Sequence, residues 1–424
     1  MTTSTAADPG HSDSGDAASR CPFLRGAITI PRDGTPLRPS PLFAELRDDA
    51  AATPLEYADG HVGWMVTRHT EVREILADPR YSQQPQRLPL GRSFPQSDDV
   101  ELDVDGRESL RLANLLGLDG PEHLRIRRAV LGRFSIRAVR SRREAVAAIV
   151  ADQLRILLAH GSPANLTEVY AEPISARVHC LVLGVPDALA GRFTETFVRS
   201  TSSQQKIDFI RDVYAAKREL VVATGQRTED VLGDLLTSEA DGSMSTREIE
   251  GIAFVLMTSG RDSVAYLIAT ATTALLTHPE QADALRHDPD LFTTAIEEFM
   301  RFGAMFLTLF PRTATEEIAY DGFTVKKGQT VSVSPVAANR DERQFADPTV
   351  FDITRDAGGH LGFGHGPHGC IGQQLARIEI REGIQQLLEG LPELSLVSAE
   401  QLEPMGFASD VPTYRVGSVL VSWT

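Results

Sequence analysis

Phe363-Gly364-His365-Gly366-Pro367-His368-Gly369-Cys370-Ile371-Gly372 is the stretch on which the reading of this 424-residue chain turns. It sets one cysteine at the end of a glycine-rich loop and at the start of a helical pattern over 371–388. Amides at a helix N-terminus and the macrodipole favour a thiolate there. Gly366, Gly369 and Gly372 let the backbone approach something flat and bulky, and Phe363 offers a ring to pack on it. With no second cysteine nearby, the loop cannot build a four-cysteine site, but a single thiolate can be the axial ligand of a haem iron. Gly364, Gly366 and Gly369 also match the spacing of a dinucleotide loop, with Glu389 near the place of a ribose-binding acid. Context argues against that reading. The preceding residues 351–360 are rich in Asp and Gly rather than strand-like, and Glu389 precedes an apolar run instead of ending one.

Composition narrows the rest. The chain holds 42 basic and 58 acidic residues, a net charge of −16, and Lys206, Lys217, Lys326 and Lys327 are its only lysines. An acidic chain with scattered arginines lacks the basic stripe that nucleic acid requires. No apolar run reaches the roughly 18 residues of a membrane span, and the N-terminus has neither the basic start nor the apolar centre of a secretory signal. A cytoplasmic protein that engages neither nucleic acid nor membrane is expected. Cys21, Cys180 and Cys370 lie too far apart for a disulfide framework. Cys180, in an apolar helix, reads as core.

The Ser/Thr/Ala/Asp/Gly-rich segment 1–26 reads as a disordered tail and 27–424 as one domain, mainly α with a small β part. Helices are expected over 41–47, 71–76, 121–134, 140–158, 168–183, 205–224 and, longest, 246–277. Strands are expected at 62–67 and within 316–333, and a long irregular loop over 84–119. Helices and strands do not alternate, which excludes a doubly wound sheet.

The Cys370 segment resembles the haem-binding loop of cytochromes P-450, F-G-x-G-x-H-x-C-x-G. Phe363, Gly364, Gly366, His368, Cys370 and Gly372 meet every fixed position. Glu298 and Arg301 resemble the E-x-x-R of that family, with Arg355 at the place of the later arginine, a structural triad. The stretch Pro121-Glu122-His123 followed by Arg127 is similar to P-E-H-x-x-x-R, and Ala338-Asn339-Arg340-Asp341 to A-N-R-D. The motifs follow the family order over nearly the whole chain. The resemblance implies a triangular helical prism with a long central helix, and haem b between that helix and the Cys-loop helix. It implies Cys370 as iron ligand, and His123, Arg127, Arg312 and His368 as contacts of the haem propionates, whose burial demands paired cations. Arg125 and Arg128 point elsewhere, towards the face where family members dock a small acidic electron donor.

On the long helix, Thr258-Ser259-Gly260-Arg261-Asp262-Ser263 resembles A/G-G-x-D/E-T-T. Val255, Ser259 and Ser263 fall on one stripe, and Gly260 would let the helix bend around dioxygen. Asp262 with Ser263 implies a proton relay for oxygen activation. Ser263 keeps the hydroxyl of the usual threonine without its methyl, and Ser259 replaces a small apolar residue. The implied substrate pocket takes in the 84–119 loop, Val255, Thr258, Phe306, Leu307 and Phe407, which suits an apolar, partly aromatic natural product. The expected function is a monooxygenase that draws electrons from ferredoxin and ferredoxin reductase, uses O2, and hydroxylates or epoxidises its substrate. Oxidative coupling or cyclisation, for example of a cyclodipeptide, and a haem protein without turnover are the competing readings.

Overall fold

Ser245 starts the element that organises the molecule. Its hydroxyl accepts from the Glu248 amide and the Glu248 carboxylate accepts from the Ser245 amide, a reciprocal cap. From it runs the helix Thr246–Ser259, in which every residue from Ile249 to Met257 is buried. A helix apolar on all sides is a core element. In this computed structural model, which describes residues 26–84, 102–197, 201–406 and 411–424, the chain then passes through Gly260 into a second helix, Arg261–Leu276. The segment read as one helix is therefore two, joined at Gly260 with φ −96° and ψ −36°. Thr258 and Ser259 turn their hydroxyls back onto the carbonyls of Phe254 (2.7 Å) and Val255 (2.6 Å), which loosens a helix at that point. Thr246–Leu276 is long and apolar enough to cross a membrane, against the expectation from residue runs alone; 72% of its most apolar window is buried inside the protein.

The helix Gln373–Gly390, which follows the cysteine loop, packs against Arg261–Leu276 and against Arg143–His160. Gly383 leaves the room that Ile268 fills, and Gly390 the room that Leu154 fills. Strands gather in small sheets beside the helices. The largest sheet runs in the order Ala52–Glu56, Val62–Val66, Thr330–Val333, Arg312–Ala314, Tyr81–Ser82, with the Val62–Val66/Thr330–Val333 pair parallel. Ile318–Tyr320 and Phe323–Val325 form a hairpin around Gly322 at φ +84°.

Other elements also depart from the sequence reading, the helices Asp187–Thr196, Val231–Ala240 and Pro279–His287 among them. The 84–119 stretch contains the helix Val104–Ala113, started by Asp103, whose carboxylate accepts from the Gly106 amide; residues 85–101 lie outside the described residues, as does all of the expected tail except Gly26. The 168–183 helix opens with a wider π turn, Thr167–Ala171. The C-terminal hairpin Ser395–Gly406/Pro412–Ser422 escaped notice because its register shifts repeatedly, which breaks the alternation that marks a strand.

The cysteine loop is held in place from below by charge. Arg301 makes two bonds of 2.7 Å to Glu298, and both side chains are fully buried. Its remaining edge donates to the carbonyls of Asn339 and Pro348, each at 2.8 Å. Arg355 approaches Glu298 at 3.5 Å. Asn339 returns the connection, accepting from the Leu361 amide at 2.7 Å just before the loop. A buried pair keeps its charges only when all its donors are used, and here Arg301 reaches Glu298 on its own helix and the carbonyls of Asn339, Pro348 and Val350.

Candidate functional site

The loop from Phe363 to Gly372 folds back on itself: the Cys370 amide donates to the Phe363 carbonyl at 2.8 Å. Gly364 and Gly366 take φ of +67° and +72°, and a Cβ on Gly366 would also fall 2.5 Å from the Leu76 carbonyl. Those two positions therefore require glycine. The loop forms one wall of a cavity of about 250 Å³. Ser259, Gly260, Ser263 and Val264, at the helix junction, line the same cavity, as do Leu115, Val182, Val255, Met305 and Phe306.

The Cys370 thiol opens into this space. Burial pushes its pKa up, while the amides of Gly372 and Gln373 and the guanidinium groups of Arg127 and Arg377 pull it down. The N-terminal dipole expected to favour the thiolate is thus present, but burial outweighs it. Arg377 also covers the Phe363 ring at 4.6 Å and pairs with Glu297 at 2.6 Å.

At one rim His123, Arg127, Arg312 and His368 converge. The rings of His123 and His368 stack with centroids 4.2 Å apart, and Arg127 donates to the Gly369 carbonyl at 2.6 Å. Burial, then the charges of His368 and Arg127, lower His123 to about 4; burial lowers Arg312 to about 10, Asp119 opposing it. Among the described residues, His123 Nε2 and Arg312 Nη1 are buried without a hydrogen-bond partner. Such donors are costly when left unpaired. A flat group bearing carboxylates on one edge and a metal that accepts one thiolate fits this donor set, so haem fits the residues present.

Two rim residues were missed in the sequence, Gln83 and Asp119. Asp119 accepts from the Gln83 amide at 3.1 Å and from the Ser82 hydroxyl, and faces His368 at 3.7 Å. Nothing in the local pattern marks them. Glu379 had a legible signal: it lies on the apolar stripe of Leu375, Ala376 and Ile380. It is buried on the cavity wall, burial alone pushes its pKa well up, and its Oε2 has no partner among the described residues.

Other expected residues fall elsewhere. Ser263 bonds back to the Gly260 carbonyl at 3.0 Å and lines the cavity, whereas Asp262 is on the opposite face of the helix. Val255 and Phe306 line the cavity; Thr258 does not, since it sits one step off the stripe with its hydroxyl bonded to the helix. Leu307 is fully buried core, not cavity wall, because its amide is tied to the Pro412 carbonyl at 3.0 Å. Phe407 lies outside the described residues. Arg125 is not free for a partner: it pairs with Glu248.

Comparison with known proteins adds to this geometry. The family described as Cytochrome P450 matches residues 162–392. Mycinamicin IV hydroxylase/epoxidase from Micromonospora griseorubida is 32% identical over 362 residues, 84% of this chain and 88% of that protein. Vitamin D(3) 25-hydroxylase from Pseudonocardia autotrophica is 32% identical over 364 residues, 84% of this chain and 87% of that protein. The solved structure of mycinamicin VIII C21 methyl hydroxylase from Micromonospora griseorubida, bound to mycinamicin VIII, is similar with a TM-score of 0.80. It is 29% identical, over 93% of this chain and 100% of that one.

Proposed function

Because this chain belongs to the cytochrome P450 family of haem-thiolate iron enzymes, we propose that it hydroxylates or epoxidises a bulky, mostly apolar natural product. It is an oxidoreductase of the monooxygenase type. The observation that carries the proposal is the single cavity bounded by the Cys370 thiol, by the Ser259–Ser263 junction and by an apolar wall. The relatives named above are hydroxylases or a hydroxylase/epoxidase, two of them named for mycinamicins.

In this reading Cys370 ligates the iron, and His123, Arg127, Arg312 and His368 neutralise the propionates. Haem, when bound, supplies the iron on which O2 is reduced. The chain's own residues do the rest. Leu115, Val182, Val255 and Phe306 exclude water and hold the substrate by apolar contact. Ser263 lines the cavity at the helix junction, where its hydroxyl, bonded to the Gly260 carbonyl at 3.0 Å, turns from that bond to pass on a proton, with Asp262 on the other face of the helix as the acid of the pair.

Electrons come from a small acidic carrier such as ferredoxin, itself reduced by its reductase. The helix Gly120–Leu131 lies behind the cysteine loop through Arg127. Next to it Arg128, Arg137 and Arg140 are exposed and, among the described residues, have no acidic partner. Exposed Leu124, Leu131 and Ile136 complete the patch. On a chain of net charge −16, this is a local inversion of sign that attracts an acidic protein.

The test is spectroscopic. The ferrous protein with carbon monoxide is expected to show the strongly red-shifted Soret band of thiolate ligation, and Cys370→Ala to abolish it. A variant that kept the band would sink the assignment. Products should gain one oxygen; loss of two hydrogens would replace insertion with coupling.

A further inference from the structure

The helix Arg261–Leu276 separates two cavities. Ser263, Val264 and Leu267 face the one bounded by Cys370, while Arg261, Asp262, Ala265 and Tyr266 face a second, of about 230 Å³. The wall of the first is mostly apolar, from Leu115 and Val182 round to Met305 and Phe306. Outside the rim, the cysteine loop and the helix that follows it, the polar side chains on that wall, among the described residues, are His179, Ser259 and Ser263. Ser263 is the hydroxyl of the acid–alcohol pair. His179 and Ser259 have no part in the chemistry or in the holding of haem.

His179 belongs to the helix Glu172–Leu183, where Val178 and Cys180 on either side of it are buried while His179 itself is half-buried on the cavity. Its ring is fixed on three sides. Nε2 lies 2.8 Å from the Leu256 carbonyl. One face stacks on Phe193 with centroids 6.0 Å apart, and the Cε1 edge occupies the side-chain position that Gly260 leaves empty. A carbonyl only accepts, so Nε2 carries the ring hydrogen. Burial lowers the pKa of the ring, with the Leu256 bond opposing, so the ring holds that one hydrogen and no second. Nδ1 is then a bare acceptor. Among the described residues no donor reaches it. Turning the ring over would set a C–H against the Leu256 carbonyl and lose the bond, so the acceptor stays on the Nδ1 side. Ser259 is alike. Its hydroxyl gives its hydrogen to the Val255 carbonyl at 2.6 Å, which leaves only lone pairs for the cavity.

We infer that His179 is a specificity-determining residue, whose Nδ1 accepts a hydrogen bond from a hydroxyl or amide N–H of the substrate, with Ser259 Oγ as a second acceptor on the same wall. The inference rests on the hydroxylase or epoxidase reading above and narrows its substrate class to mostly apolar natural products that carry such a donor. The ring abuts Gly260, so the acceptor lies beside the helix junction and the donor orients the substrate against it. A substrate with an ether or a ketone there sets lone pair against lone pair. A site built to pair one polar group rejects the analogue that lacks it more strongly than an apolar wall rejects a change of bulk.

Two measurements on the haem-loaded protein test this. Cyclododecanol and its methyl ether differ in one donor, and the low-spin to high-spin Soret shift reports the binding of each. The alcohol should bind roughly tenfold tighter than the ether, the worth of one hydrogen bond. His179→Phe, which keeps a ring against Phe193, should bring the two within about twofold by weakening the alcohol alone. Equal affinities in the parent, or a preference that survives His179→Phe, would overturn the inference. Nitrogen NMR of the histidine-labelled, diamagnetic ferrous–carbon monoxide form reads the ring without any substrate. It should show His179 with hydrogen on Nε2 and none on Nδ1; hydrogen on Nδ1 would overturn the inference even where neither probe binds or the variant does not fold. A parent protein without the thiolate-type carbon monoxide band would undo the monooxygenase reading instead.

Discussion

The imidazole of His179 fills the space that any side chain on Gly260 would need. A Cβ built on Gly260 overlaps the His179 ring, and that ring is locked by a 2.8 Å bond from Nε2 to the Leu256 carbonyl. The glycine at the helix junction is therefore required by packing, in addition to any demand from the cavity it borders.

Gly260→Ala should destabilise the protein by about 1–3 kcal/mol, the usual cost of overpacking a filled core. The double variant Gly260→Ala/His179→Ala should recover part of that loss, since the histidine is what the methyl meets. Chemical unfolding of the four proteins of the cycle measures the coupling; strictly additive losses would refute the steric account.

Glu298→Gln and Arg301→Lys should each be severe. Removing one partner of a buried pair leaves the other charge uncompensated, at about 3–5 kcal/mol. Lysine cannot reproduce the fork that reaches Glu298, Asn339 and Pro348 together. Haem retention after gel filtration and the unfolding midpoint both report this. Normal stability in Arg301→Lys would show that the fork is dispensable.

Glu297 sets a pH dependence. Burial alone would raise it, but bonds from Arg377 and His360 bring it down from 4.5 to about 2. Its folded pKa lies below the unfolded one, so its stabilisation is complete above the unfolded value and drains as pH falls towards 2. At about 1.4 kcal/mol per unit the whole effect is about 3 kcal/mol. The stability gap between the parent and Glu297→Gln should narrow as pH falls from about 5 to about 3. A constant gap across denaturant titrations in that range would contradict the assignment.

Charge reversal at Arg128, Arg137 or Arg140 should slow association with an acidic electron carrier several-fold and flatten its salt dependence. Arg125→Glu should chiefly reduce stability, because Arg125 is tied to Glu248. Stopped-flow reduction at two ionic strengths distinguishes the two classes. Equal slowing by all four substitutions would mean that the patch is not where the carrier docks.

Much of the centre was legible because it depends on residue types with few alternatives. A lone cysteine in a glycine-dense loop, an acid and base three apart, and His123 with Arg127 four apart are local patterns. The structure brings the last pair to one rim with Arg312 and His368. What the sequence hid depends on distant neighbours. Gln83 and Asp119 join the rim only because Tyr81–Ser82 pairs with Arg312–Ala314. Leu307 and Thr258 carry suitable side chains but are turned away by backbone and hydroxyl bonds. The break at Gly260 was expected as a bend; the second cavity behind it was not, because helical periodicity says which residues share a face, not what lies against it.

The two-sided helix restricts how such a protein can change over generations. Each residue added or removed between the Ser245 cap and Gly260 would turn everything beyond it by about 100°. One residue added would carry Asp262 into the place of Ser263 on the substrate wall; one removed would carry Ser263 into the place of Asp262, away from it. Diversification here must therefore proceed by replacing side chains at constant spacing, while length variation is confined to loops such as those outside the two cavities.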